Sequence, residues 1–295
     1  MGVRVAACLV IAIAVVQAAD QGICHEWDYR GILGRSSDQR LEFAGLPGFM
    51  RSVHKPSYAL ITPESRVWAP LVGWTNTTTA HVISPVRGAN FAMYFARMGA
   101  GGARAAPPAN PLVQRLAVVL RGSVSLGRGG GGDEEEVTLE HGEYVYIPAN
   151  APISLVASES ADLLVFEKRH KGIGATEPVW GAMEEREVLD VPGEVFVLRK
   201  LLPVGPAYDF NVHIMDFEPG QFLYTKEVHY NQHGVVMLEG QGIYRLDGDY
   251  HPVQTGDAIW MAPYVPQWYG ALGSTPSRYI LYKDTMVDPM DLDVY

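Results

Sequence analysis

Cysteine is nearly missing from this 295-residue chain, which has only Cys8 and Cys24. Cys8 falls inside the apolar leader described below, so the mature chain is expected to keep one thiol and no internal disulfide. Cys24 has no glycine-rich or histidine-bearing neighbourhood and reads as an inert thiol rather than a nucleophile. A bridge from it to another molecule stays open. Basic residues are also short: 23 Lys and Arg against 33 Asp and Glu leave a net charge of −10. A nucleic-acid binder needs a basic face for phosphates, so that class of partner is not expected. Helical periodicity over a dozen residues appears almost nowhere, and no stretch beyond the leader is apolar enough to span a bilayer.

That leader is "MGVRVAACLVIAIAVVQAA", in which a lone Arg4 precedes the unbroken apolar run Val5 to Val16. Small residues follow at Val16-Gln17-Ala18 or Gln17-Ala18-Ala19. The pattern is that of a secretory signal peptide over residues 1–19 and is short for a membrane span, with an uncleaved anchor or a different targeting segment as the alternatives. In a secreted chain Asn76-Thr77-Thr78 is a glycosylation sequon, provided Asn76 is exposed.

The rest consists of short runs rich in Val, Ile, Tyr and Phe, broken by glycine and proline. Examples are "FAMYFARM", "QRLAVVL", "ADLLVFEK", "FNVHIMDF", "HGVVMLEG" and "RYILYK". They predict an all-β protein of many antiparallel strands. The runs also repeat. Gly122 of "VVLRGSVSL" aligns with Gly240 of "VMLEGQGIY"; Gly142 and Pro152 then align with Gly256 and Pro266. The second offset is shorter because the first copy has a longer hairpin, "GRGGGGDEEE". No Lys-Ser/Thr or helix follows that glycine run, so it is a hairpin tip rather than a phosphate loop. A duplication of this size predicts two tandem antiparallel β-barrels of the jelly-roll type. The expected boundaries are an N-terminal extension over 20–60, a first barrel over 61–176, a linker over 177–193 and a second barrel over 194–295.

"KEVHYNQHGVVMLEGQG", Lys226 to Gly242, carries the chemistry. Glu227 and His229 are two apart, so on a strand they share a face, and His233 returns to that face after the "YNQ" turn. Gln267 follows "PYVP", a turn whose prolines fix its direction. A solvated polar strand is the ordinary alternative, but it has no reason to keep register with the duplicated glycines. A carboxylate buried among Val, Met and Ile is costly unless a cation compensates it. One carboxylate, two imidazoles and an amide favour Mn²⁺ or Fe²⁺ with open positions over structural zinc. The site is then close to +1 in charge, suited to a small anion. In the first copy the same slots hold Ala109, Pro111, Arg115 and Ile153. Arginine cannot ligate a cation, so the first barrel is expected to be a structural partner without metal.

These spacings resemble the two cupin motifs, with Glu, His, His and Gln in the four ligand slots. Within cupins the chain resembles the (S)-ureidoglycine aminohydrolase family, bicupins of purine-ureide breakdown. The resemblance runs through "LPGFMRSVHKPSYALITPESRVWAPLVGWTNT", "GEVFVLRKLLPVGPAYDFNVHIMDFEPG" and "GDAIWMAPYVPQWYGALG" as well as the ligand stretch. It implies Mn²⁺-dependent hydrolysis of (S)-ureidoglycine to ureidoglycolate and ammonia, with Glu227, His229, His233 and Gln267 as metal ligands. It also implies substrate contacts from Tyr244, Tyr279 and Lys283, catalytic roles for Glu227 and Lys283, a homo-oligomer, and an endoplasmic-reticulum location consistent with the leader. Tyr279 and Lys283 are four apart on one strand and so share a face. For Lys283 a water-facing strand end is the plain alternative, and for Tyr244 barrel packing. Trp260, Trp268 and Tyr269 flank Gln267 as core or as pocket wall. Rival readings are a cupin dioxygenase or oxalate-degrading enzyme, and a non-catalytic storage bicupin.

Overall fold

The computed structural model describes residues 50–128, 137–170 and 174–291. The expected leader, both cysteines and most of the glycine-rich hairpin tip lie outside these residues. Among the described residues there is no α-helix; the chain is strands and turns with three short 3₁₀ segments. Two antiparallel barrels result, the bicupin arrangement expected from the duplication.

In the first barrel a six-stranded sheet, including Phe91–Met98, Val113–Arg121, Glu143–Ile147 and Ala161–Arg169, faces a five-stranded sheet. In the second an eight-stranded sheet, including Phe210–Phe217, His233–Glu239, Ala258–Met261 and Ser277–Asp284, faces the three strands Gln241–Leu246, Asp249–Gln254 and Gln267–Leu272. The two large sheets stack back to back. Alternation along one strand shows the layering: Tyr279 and Leu281 fill the second barrel, while Ile280 and Tyr282 point the other way. From the first barrel Leu164 and Phe166 meet them, while Leu163 and Val165 point into their own barrel. Phe91 stacks on Tyr282 with ring centroids 3.8 Å apart. Each such side chain, fully buried, contributes roughly 1.5–3 kcal/mol.

The barrels also exchange strands. Tyr58–Ile61, ahead of the first barrel in sequence, pairs with Ala258–Met261 of the second. Val179–Ala182, in the stretch expected as a linker, pairs with Glu143–Ile147 of the first, and Val188–Leu189 pairs with Val197–Lys200 of the second.

The duplicated glycines have a steric cause. Gly122 and Gly240 both have positive φ, +74° and +73°. A Cβ on the first would overlap the carbonyl oxygen of Ser160, and on the second that of Pro276. Only glycine tolerates both demands at one position. Asn76 is exposed, in a turn with positive φ, and its amide donates to the Ala100 carbonyl.

Candidate metal centre

The donors assemble at one end of the second barrel. His233 opens the strand His233–Glu239, at the same parity as Val235 and Met237, and so points inward. Gln267 opens the strand Gln267–Leu272 after the "PYVP" turn. Glu227 and His229 do not lie on a regular strand. Their segment is pinned by a single bridge in which the backbones of Glu227 and Gln267 exchange hydrogen bonds of 3.0 Å. Tyr264 N donates to the His229 carbonyl at 2.7 Å and fixes the next turn. The segment is an edge, and edge backbone can leave the ladder to bend its side chains into the barrel mouth.

Ligand atoms of Glu227, His229 and His233 all lie within 4.8 Å of one another. The Nε2 atoms of the two histidines are 3.1 Å apart, and their rings meet edge to face. Gln267 Nε2 is 2.9 Å from His229 Nε2 and 3.3 Å from Glu227 Oε2. His233 Nδ1 lies 3.1 Å from the carbonyl of Tyr282. A carbonyl only accepts, so Nδ1 carries the hydrogen and Nε2 presents a lone pair to the cluster. Burial and the Lys283 charge push the His233 pKa well below its ordinary value, so the ring stays neutral and able to ligate.

A divalent cation fits this set. Two imidazole nitrogens face each other, a carboxylate stands beside them, and Gln267 Oε1 is buried without a hydrogen-bond partner. A half-turn of the amide exchanges its oxygen and nitrogen without changing its shape, which brings a hard oxygen donor to the cluster. His233 and Gln267 are buried, whereas Glu227 remains partly open to solvent. The hydrogen bond with His229 and the Lys283 charge hold the Glu227 carboxyl below its usual range against its own burial.

The expected substrate contacts line the same interior. Lys283 lies opposite His233 in the strand register. Burial lowers its pKa; Glu227 opposes that shift and Lys200 adds to it. Tyr244 and Tyr279 are fully buried beside Tyr269, and burial together with the Glu227 charge raises both phenols, so they stay protonated. Trp260 points away from the site, into the layer between the barrels. Trp268 donates to the Leu223 carbonyl at 2.6 Å, and Tyr269 donates to Ser277 at 2.7 Å.

Sequence reasoning missed His213. It shares inward parity with Met215 and Phe217, is buried, and its Nε2 has no hydrogen-bond partner. Burial and the charges of Lys200 and Lys283 push its pKa down to about 3. The signal was available: "FNVHIMDF" places this histidine on the Met215–Phe217 face.

The first barrel fills the equivalent place with a different device. Arg115 stands in the slot of His233, and Glu167 lies opposite it as Lys283 lies opposite His233. Arg115 Nη2 meets Glu167 Oε1 at 2.7 Å, and Ile153, in the slot of Gln267, packs into that barrel's core. An internal ion pair occupies the space where the second barrel gathers Glu227, His229, His233 and Gln267.

Fold and donor set together define a cupin whose second barrel has a candidate metal centre. The Cupin domain profile matches residues 213–282. Over 247 residues, 83% of this chain, the sequence is 53% identical to a probable (S)-ureidoglycine aminohydrolase of Oryza sativa, covering 78% of that protein. It is 52% identical to the (S)-ureidoglycine aminohydrolase of Arabidopsis thaliana over the same share of this chain and 81% of that one. The crystal structure of the E. coli protein Ylba superposes with a TM-score of 0.67 at 25% identity, over 81% of this chain and 96% of that one. The chain belongs to the (S)-ureidoglycine aminohydrolase family. Oxalate decarboxylase of Bacillus subtilis, at 12% identity and a TM-score of 0.57 over 77% of each chain, shares the fold.

Proposed function

We propose that the protein hydrolyses (S)-ureidoglycine to (S)-ureidoglycolate and ammonia, with Mn²⁺ held by Glu227, His229, His233 and Gln267. Family membership carries the substrate, and the donor set supports the metal. In the overall balance the substrate's central carbon exchanges its amine for a hydroxyl. A C–N bond breaks and a C–O bond forms, and one water supplies both the hydroxyl and the proton that leaves with ammonia.

A bound divalent cation supplies Lewis-acid polarisation there, an effect worth several kcal/mol. The chain's own residues do the rest. The Lys283 ammonium, inside the barrel, faces the substrate carboxylate, and Tyr279 on the same strand face donates beside it. Tyr244, held neutral, is a further donor. Glu227, ionised and at the mouth of the site, carries the proton between water and the leaving amine. The apolar walls of Val235, Met237, Met261 and Leu281 limit water to the mouth. The leader supports delivery to the endoplasmic reticulum, and the family resemblance supports a homo-oligomer.

The test is the product. With enantiopure (S)-ureidoglycine in ¹⁸O-water, one ammonia and one (S)-ureidoglycolate with the label in its hydroxyl are expected per substrate consumed. Decarboxylation of oxalate or oxygen uptake, with no ureidoglycolate formed, would overturn the proposal in favour of an oxidative cupin.

A further inference from the structure

Between the two barrels, behind the metal centre, lies a buried polar network in an otherwise apolar layer. On the strand Ser277–Asp284, Lys283 points into the second barrel and Asp284 points out toward the first. Asp284 is completely buried. Its Oδ2 accepts from Asn90 Nδ2 at 2.9 Å and from Gln232 N at 3.2 Å; its Oδ1 accepts from the Tyr282 hydroxyl at 2.7 Å. Lys168 Nζ lies 3.5 Å from Asp284 Oδ1 and 3.0 Å from Asp209 Oδ2. The Gln232 side-chain oxygen in turn accepts from Asn90 N at 3.2 Å and from Trp260 Nε1 at 3.3 Å.

The division of labour is asymmetric. Both carboxylates come from the second barrel, while the cation and the Asn90 amide come from the first. The duplicated strands also carry opposite charges in this place. Glu167-Lys168 in one corresponds to Lys283-Asp284 in the other, so the outward members attract across the interface. Gln232 immediately precedes His233 and Asp284 immediately follows Lys283. The clamp therefore grips the chain one residue from a metal ligand and one residue from the substrate-facing cation.

We propose that Lys168 and Asn90 of the first barrel are positioning residues of the metal centre, holding Gln232 and Asp284 so that His233 and Lys283 keep their register. This gives the first barrel a part in metal binding although its own slots hold an ion pair. The inference rests on assigning the four donors to a metal. Groups behind the ligands commonly govern metal affinity by tenfold or more when removed, because they fix ligand orientation.

Mn²⁺ titration followed by electron paramagnetic resonance, with the free-ion signal as readout, tests this on the full chain without substrate. Asn90→Ala deletes the amide's hydrogen bond to the Asp284 carboxylate and leaves the backbone N–H to Gln232 in place. It is expected to weaken Mn²⁺ binding about threefold to tenfold, and Lys168→Met about tenfold or more. Val118→Ala, a cavity in the same inter-barrel layer away from the clamp, serves as the control matched by loss of thermal stability. Its Mn²⁺ affinity is expected to stay at the wild-type value. Should Lys168→Met fail to fold, Asn90→Ala alone decides. Wild-type affinity in folded Asn90→Ala, or equal weakening in Val118→Ala, overturns the clamp while leaving the metal centre standing. A wild-type chain that takes up no Mn²⁺ overturns both, and one that binds Mn²⁺ but releases no ammonia overturns only the proposed reaction.

Discussion

His229 and His233 point their Nε2 atoms at each other across 3.1 Å, while the Nδ1 of His233 is committed to the Tyr282 carbonyl. His233, neutral and donating from Nδ1, therefore turns the lone pair of its Nε2 toward the His229 ring. A cation between the two Nε2 atoms would be ligated by both rings, which explains why a neutral, buried His233 is kept at this position.

The first prediction concerns the ligands. His233→Ala should leave the purified protein with little bound metal by elemental analysis, and Gln267→Leu should weaken Mn²⁺ binding by at least about tenfold. Both chains should fold, because neither change empties the apolar core. Full metal content in His233→Ala would remove the site assignment.

Lys283 separates substrate from metal. Lys283→Met removes the ammonium but no ligand, so metal content should stay unchanged while kcat/KM falls by about tenfold to a hundredfold, the worth of a charge-assisted hydrogen bond. Steady-state kinetics beside metal analysis check both halves. A parallel loss of metal would make Lys283 part of the ligand scaffold instead.

His213 should set part of the acid sensitivity. Its folded pKa is down at about 3, against an ordinary 6.5. Between those values the unfolded chain binds a proton that the folded protein refuses, so stability falls as pH falls through this window. On going from about pH 7 to about pH 5, His213→Gln should lose about 2 kcal/mol less than the wild type in denaturant unfolding. Equal losses in both proteins would show that His213 takes up its proton in the native state.

The Arg115–Glu167 pair is predicted to be structural. Arg115→Met leaves a largely buried carboxylate without its partner and should cost about 2–3 kcal/mol in denaturant unfolding. Adding Glu167→Leu should restore most of that loss. Metal affinity should not change in either variant, since the pair sits in the other barrel.

Much of this was legible in the sequence because the causes are local. Gly122 and Gly240 recur because positive φ and a close carbonyl leave no room for a side chain. That shared register is what tied Gln267 to Glu227, forty positions away. The rest depended on pairing between distant segments. Both faces of the large sheets are buried, so the strands that end in Lys168 and Asp284 carry apolar residues on both sides, and alternation does not say which barrel a residue faces. Tyr58–Ile61 looks like an extension until its partner, Ala258–Met261, is known. Glu227 and His229 were expected on a strand; the edge segment instead bends, held by one bridge to Gln267.

The most direct test is ammonia release from freshly prepared (S)-ureidoglycine by metal-stripped protein, before and after Mn²⁺ is restored. The account predicts release at the uncatalysed rate without metal, and recovery that saturates as one Mn²⁺ binds per chain. Full turnover by the metal-free protein would contradict it.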